Sequence, residues 1–133
     1  MTPGSQTHLR VARPSADLER SRRFWVDGVG AEVLWSEPDP GPGEHALLML
    51  GWPGAAWHLE LVHDPEQVAA NPPGPEDVLV LYLGELIDPA YLARMVAAGG
   101  TEVAARNPYW DRWGVTVRDP DGYRLVLSTR SWD

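Results

Sequence analysis

Short runs in which apolar and polar residues alternate dominate this chain. "QTHLRVAR" (6–13) alternates and predicts a first strand. A helical pattern follows in "PSADLERSRRFWVDGVG" (14–30). Ser15 is the predicted N-cap, Asp17 and Glu19 fall in the first turn, Arg20, Arg22 and Arg23 come after them, and Gly28 or Gly30 ends the helix. "AEVLWSE" (31–37) predicts a second strand and "EPDPGPGEH" (37–45) a loop. "HALLMLGW" and "WHLELVH" predict two further strands joined through "PGAA".

Residues 64–77, "DPEQVAANPPGPED", form a proline-rich linker, and the order then repeats. "VLVLYL" reads as a strand. "DPAYLARMVAAGG" reads as a helix with Asp88 as N-cap, Pro89 at its first position and Gly99 past its end. "TEVAA", "WGVTVRD" and "YRLVLST" are strands, "NPYWDR" a loop, and "DPDG" a tight turn. "GAEV" at 30–33 and "GTEV" at 100–103 each follow a helix. The repeated strand–helix–strand–strand–strand order predicts one α+β domain, 1–133, of two tandem βαβββ modules, at about 6–63 and about 78–130.

Strand alternation places side chains. His58, Glu60 and Val62 share one face of their strand, and Leu59 and Leu61 the other. On the first strand Gln6, His8 and Arg10 share a face. The helices are expected to cover Leu9, Leu59, Leu61, Leu79, Leu81, Leu125 and Leu127. The opposite faces would line a cup.

Composition narrows the function classes. The formal net charge is −8, from 11 basic and 19 acidic residues, which disfavours nucleic acid as a partner. Every basic residue is arginine. No apolar run reaches the roughly 18 residues of a membrane span. The first ten residues lack the features of a signal peptide, and there is no cysteine, so a cytoplasmic protein is expected. Seven tryptophans stand against one phenylalanine. Trp35, Trp52 and Trp57 are core candidates, while Trp110 and Trp113 fall in a turn-rich stretch suited to binding.

"LRVARPSADLERSRRFWVDGVGAEVL" and the closing "WGVTVRDPDGYRLVL" resemble the vicinal oxygen chelate superfamily. That superfamily holds glyoxalase I, extradiol dioxygenases, fosfomycin-resistance enzymes and bleomycin-resistance proteins. "NPYW" with the closing stretch resembles an uncharacterised bacterial branch of it. The resemblance implies a cup-shaped, mostly antiparallel eight-stranded sheet, a homodimer, and one divalent metal held from four strand positions. Carried over, those positions fall on Gln6, Glu60, Val78 and Val126. Two valines have no lone pair to offer, so the usual metal site is dismantled and no cofactor is expected. A shifted set of His8, His58 and Glu60 is the alternative, a donor combination suited to Zn²⁺, Mn²⁺ or Fe²⁺.

Two functions follow. The first is a metal-independent binder of a small molecule, sequestering an antibiotic or other toxic compound. Its cup would use Gln6, His8, Arg10, His58, Glu60, Tyr82, Tyr109, Trp110 and Arg124, with Arg10 or Arg124 pairing with Glu60. The second is a metal-dependent lyase, isomerase or dioxygenase on the shifted set.

Overall fold

The computed structural model describes residues 1–133. It contains two four-stranded sheets, one from each module. The first holds β1 (Leu9–Ser15), β2 (Glu32–Glu37), β3 (Leu47–Gly51) and β4 (Trp57–His63), in the order β1-β4-β3-β2. The second holds β5 (Val78–Tyr82), β6 (Thr101–Val103), β7 (Gly114–Arg118) and β8 (Arg124–Ser128), in the order β5-β8-β7-β6. Each sheet has one parallel pair, β1 with β4 and β5 with β8, and its other pairings are antiparallel. No ladder joins the two sheets, so the eight strands of the expected two-module fold form two open halves.

Register explains which residues are buried. Leu59 and Leu61 on β4 stand beside Leu50 and Leu48 on β3, and all four are buried. Leu125 and Leu127 on β8 stand beside Val117 and Val115 on β7. These inner faces form one cluster with Phe24, Trp25, Val29 and Met95. Full burial of a leucine contributes about 1.5–3 kcal/mol. Leu79 and Leu81 pack against the same cluster, but Leu9 at the edge of β1 is 61% exposed.

The first helix begins later than its sequence suggests. Asp17, not Ser15, is the N-cap of α1 (Leu18–Arg22), where its carboxylate accepts the Arg20 N–H. Ser15 ends β1, and its hydroxyl lies 2.9 Å from that of Ser21. The helix continues as a π-helical segment, Arg23–Val29, which Gly30 closes at φ +94°. The linker carries a short helix, α2 (Pro65–Ala70), capped by Asp64. In module 2, Asp88 and Pro89 begin α3 (Pro89–Ala97) as expected. The stretch read as the loop "NPYWDR" is a helix, α4 (Pro108–Arg112), capped by Asn107. No helix is long and apolar enough to cross a membrane.

The modules are held together at two places. Near the first, a Cβ on Gly100 would lie 2.7 Å from both Phe24 and Val117, and one on Gly28 would lie 3.1 Å from the Ala98 Cβ. The missing side chains let the two helices approach. At the second, the turn after β7 docks on module 1. The Asp121 carboxylate accepts the Ala16 N–H at 2.8 Å and the Ser21 hydroxyl at 3.0 Å. Arg13 of β1 lies over the Tyr123 ring, 4.2 Å from its centroid.

Candidate functional site

β4 turns His58 and Glu60 away from the leucine core. Its parallel pairing with β1 sets Arg10 beside His58 and Ala12 beside Glu60. Arg10 Nη1 forms an ion pair with Glu60 Oε2 at 3.0 Å. Its Nε donates to Nε2 of His58 at 3.1 Å, and Nδ1 of His58 lies 2.6 Å from Nε2 of His8. The order Glu60–Arg10–His58–His8 is a chain of polar contacts on one sheet face.

A guanidinium can only donate, so Nε2 of His58 accepts. The proton of the neutral ring is then on Nδ1 and is donated to His8. Burial holds the His58 pKa below its usual value, with Arg10 and then His8 acting in the same direction.

One expectation is corrected here and one open alternative is decided. Gln6 lies in a turn before β1, where it is exposed, so the first-strand position facing this site is Arg10. Glu60 pairs with Arg10 and not with Arg124.

A second correction concerns Trp35. Register shifts between Val33 and Trp35, so a bulged β2 pairs Trp35 with Met49 rather than with Leu48 of the core face. An extra residue in one strand turns every following side chain over. Trp35 is therefore 59% exposed and stands in one row with Met49 and Glu60. It lies on the same sheet face as Glu60, across Met49, and alternation without the bulge would put it on the core face.

Module 2 is arranged differently. Val78, Arg124, Val126, Thr116 and Trp110 line a cavity of only about 10 Å³. Tyr109 meets Trp110 edge-on at 5.0 Å and accepts a hydrogen bond from Arg130 at 3.3 Å. The guanidinia of Arg112 and Arg130 both lie over the Trp113 ring, 5.1 and 5.0 Å from its centroid. Tyr82 is not beside Glu60. It lines an apolar cleft of about 320 Å³ with Leu9, Trp57 and Leu81, where β1 and β5 run alongside without pairing. Sequence reasoning missed this cleft because its walls are 70 residues apart in the chain.

These residues do not fit a divalent metal. Val78 and Val126 carry no donor atom. Both nitrogens of His58 are engaged, and the Arg10 cation lies against Glu60 and His58 where a second cation would meet its charge. No three histidine, aspartate or glutamate side chains are grouped to hold an ion.

Two open βαβββ halves, each with a parallel strand pair at its edge, define the vicinal oxygen chelate class. Family models place the chain more narrowly. Residues 9–62 match the YycE-like N-terminal domain and residues 76–129 the YycE-like C-terminal domain, and the chain belongs to the YycE-like family. It is 33% identical over 122 residues to the uncharacterized protein YycE of Bacillus subtilis, covering 90% of this chain and 85% of that one. The crystal structure of B. subtilis YycE superposes with a TM-score of 0.80 at 28% identity, over 96% of this chain and 93% of the other. TnmS3, an antibiotic-binding protein from Streptomyces sp. CB03234, gives a TM-score of 0.60 at 28% identity, over 98% and 100% of the two chains. The fosfomycin resistance protein FosX of Mesorhizobium loti shares the fold, with a TM-score of 0.67 at 15% identity over 99% and 95%.

Proposed function

We propose that the chain binds a small organic molecule without a metal, and that its role is to sequester an antibiotic or other toxic compound. The observation that carries this reading is Arg10, a fixed cation held by Glu60 and His58 on the strands where metal-dependent members of the class carry ligands. The likeness to antibiotic-binding TnmS3 supports it. His8, Arg10, His58 and Glu60 would orient polar groups of the ligand, and exposed Trp35 would cover its flat face. Tyr82, Tyr109, Trp110 and Arg124 belong to the same proposed ligand surface only if a second copy contributes them, and the reading includes a homodimer. The outer strands β2 and β6 leave unpaired edges that favour association.

Calorimetric titration of a panel of planar, cationic and antibiotic compounds, with and without chelator, tests this function. Chelator should leave affinity unchanged, and Trp35→Ala should weaken it by about 1–3 kcal/mol. Affinity that collapses with chelator and returns with Zn²⁺, Mn²⁺ or Fe²⁺ would overturn the reading in favour of metal-dependent chemistry. Sedimentation giving a monomer mass would remove the homodimer.

A further inference from the structure

A second site lies on module 2, away from the Arg10 cluster. Arg118 of β7 and Arg124 of β8 stand directly opposite one another, and Thr101 of β6 stands opposite Arg118. Paired residues share a face, so a hydroxyl and two guanidinia form one row across three strands. Like charges directly opposite each other on a sheet are destabilising unless a counter-charge lies between them.

No ion pair within the protein neutralises these two guanidinia. Of the eleven arginines, three form ion pairs and four lie over aromatic rings. The remaining four are Arg20, Arg23, Arg118 and Arg124. Three of these, Arg20, Arg118 and Arg124, line one open groove of about 440 Å³ whose only apolar side chains are three prolines, Pro72, Pro73 and Pro120. Nε of Arg124 is buried and has no acceptor. Asp119 and Asp121 also line the groove, and three of their four carboxylate oxygens accept hydrogen bonds from other groups. Asp121 binds Ala16 and Ser21, and Asp119 Oδ1 accepts the Asp121 and Tyr123 N–H groups. Neither carboxylate forms an ion pair with the three arginines.

We propose that this groove is an oxyanion site that takes a phosphoryl group. Arg118 and Arg124 hold it from the sheet, Thr101 donates its hydroxyl, and Arg20 closes from α1. Guanidinium forks match the tetrahedral oxygens of phosphate, and a dianion relieves the repulsion of the cross-strand pair. Because Arg20 belongs to module 1, a bound anion also ties the two modules together. The site shares only Arg124 with the ligand surface proposed above, and Arg118, Arg20 and Thr101 are its own.

The test uses the full chain and inorganic phosphate at constant ionic strength balanced with sodium chloride. The melting temperature should rise saturably with phosphate, and calorimetry should give a dissociation constant. Arg118→Gln and Arg124→Gln should each weaken phosphate binding at least tenfold, Arg20→Gln should weaken it less, and Arg23→Gln should leave it unchanged. Arg118→Gln should melt no lower than the parent without phosphate, since it removes a repulsion. If it does not fold, the exposed Arg20→Gln carries the comparison. Sulfate should compete, and acetate should not. Acetate matching phosphate would overturn the phosphoryl assignment. No saturable effect beyond sodium chloride, or equal binding by the arginine variants and the parent, would overturn the site.

Discussion

Arg10 donates its Nε–H to Nε2 of His58 at 3.1 Å, and this bond decides the charge state of the imidazole. A protonated ring has no lone pair at Nε2 and would lose the bond while facing the guanidinium. His58 is therefore neutral with its proton on Nδ1. Nitrogen-15 spectra of the labelled protein should show that tautomer. A ring protonated on Nε2 at neutral pH would contradict it.

The same relationship carries a pH dependence. The His58 pKa is lowered by burial, by Arg10 and by His8, so the unfolded chain binds this proton more readily than the folded one. Its contribution to stability is present above the unfolded value of about 6.5 and is lost progressively as pH falls toward the folded value. Urea midpoints of the parent should drop through that window more steeply than those of His58→Gln. Parallel curves would exclude the effect.

Glu60 is shielded from solvent while its partner is half exposed, so the two substitutions should not be equivalent. Arg10→Gln leaves a largely buried carboxylate without its cation and should cost about 1–3 kcal/mol. Adding Glu60→Gln should recover part of that loss. The pairing energy from the double-mutant cycle should stay near 1 kcal/mol or below, because water screens Arg10. Denaturant titration of the four proteins measures it.

Asp119 works in the opposite direction from His58. Burial pushes its pKa up to about 6, against the attraction of Arg13 and the N–H groups of Tyr123 and Asp121. Between the usual carboxylate range and that value the folded chain holds the extra proton, so this contribution to stability declines as pH rises from about 4 to 6. Asp119→Asn keeps the acceptor for both N–H groups. It should gain on the parent by about 1–3 kcal/mol between pH 4 and pH 7. A gap independent of pH would show that the carboxylate is not strained by burial.

Gly100 is closely confined. A methyl group there would lie 2.7 Å from Phe24 and Val117, both fully buried. Gly100→Ala should cost about 1–3 kcal/mol through overpacking. Gly4→Ala, which meets nothing within 4 Å, should cost far less. Thermal melts of the two variants give the comparison.

Much of this molecule was legible along the chain. Alternation of period two put His58 and Glu60 on one face of β4. Asp88, Pro89 and Gly99 marked both ends of α3, and the repeated order of elements carried the two modules. These signals are local, because a strand's pleat, a helix cap and a tight turn each involve a few consecutive residues. The site itself depended on contacts between distant segments. Which residue of the first strand meets His58 is set by the register of β1 on β4, and that register selects Arg10 over Gln6. One extra residue in β2 turns Trp35 outward, although the alternating pattern assigns it to the core. Trp110 lies on a short helix over sheet 2, where no period marks it. The charged row of Thr101, Arg118 and Arg124 comes from three strands, and no one of them shows it. Sequence periodicity determines which side of its own element a residue takes. Pairing register, bulges and the packing of two modules determine what it meets there, because those energies are spread over residues far apart in the chain.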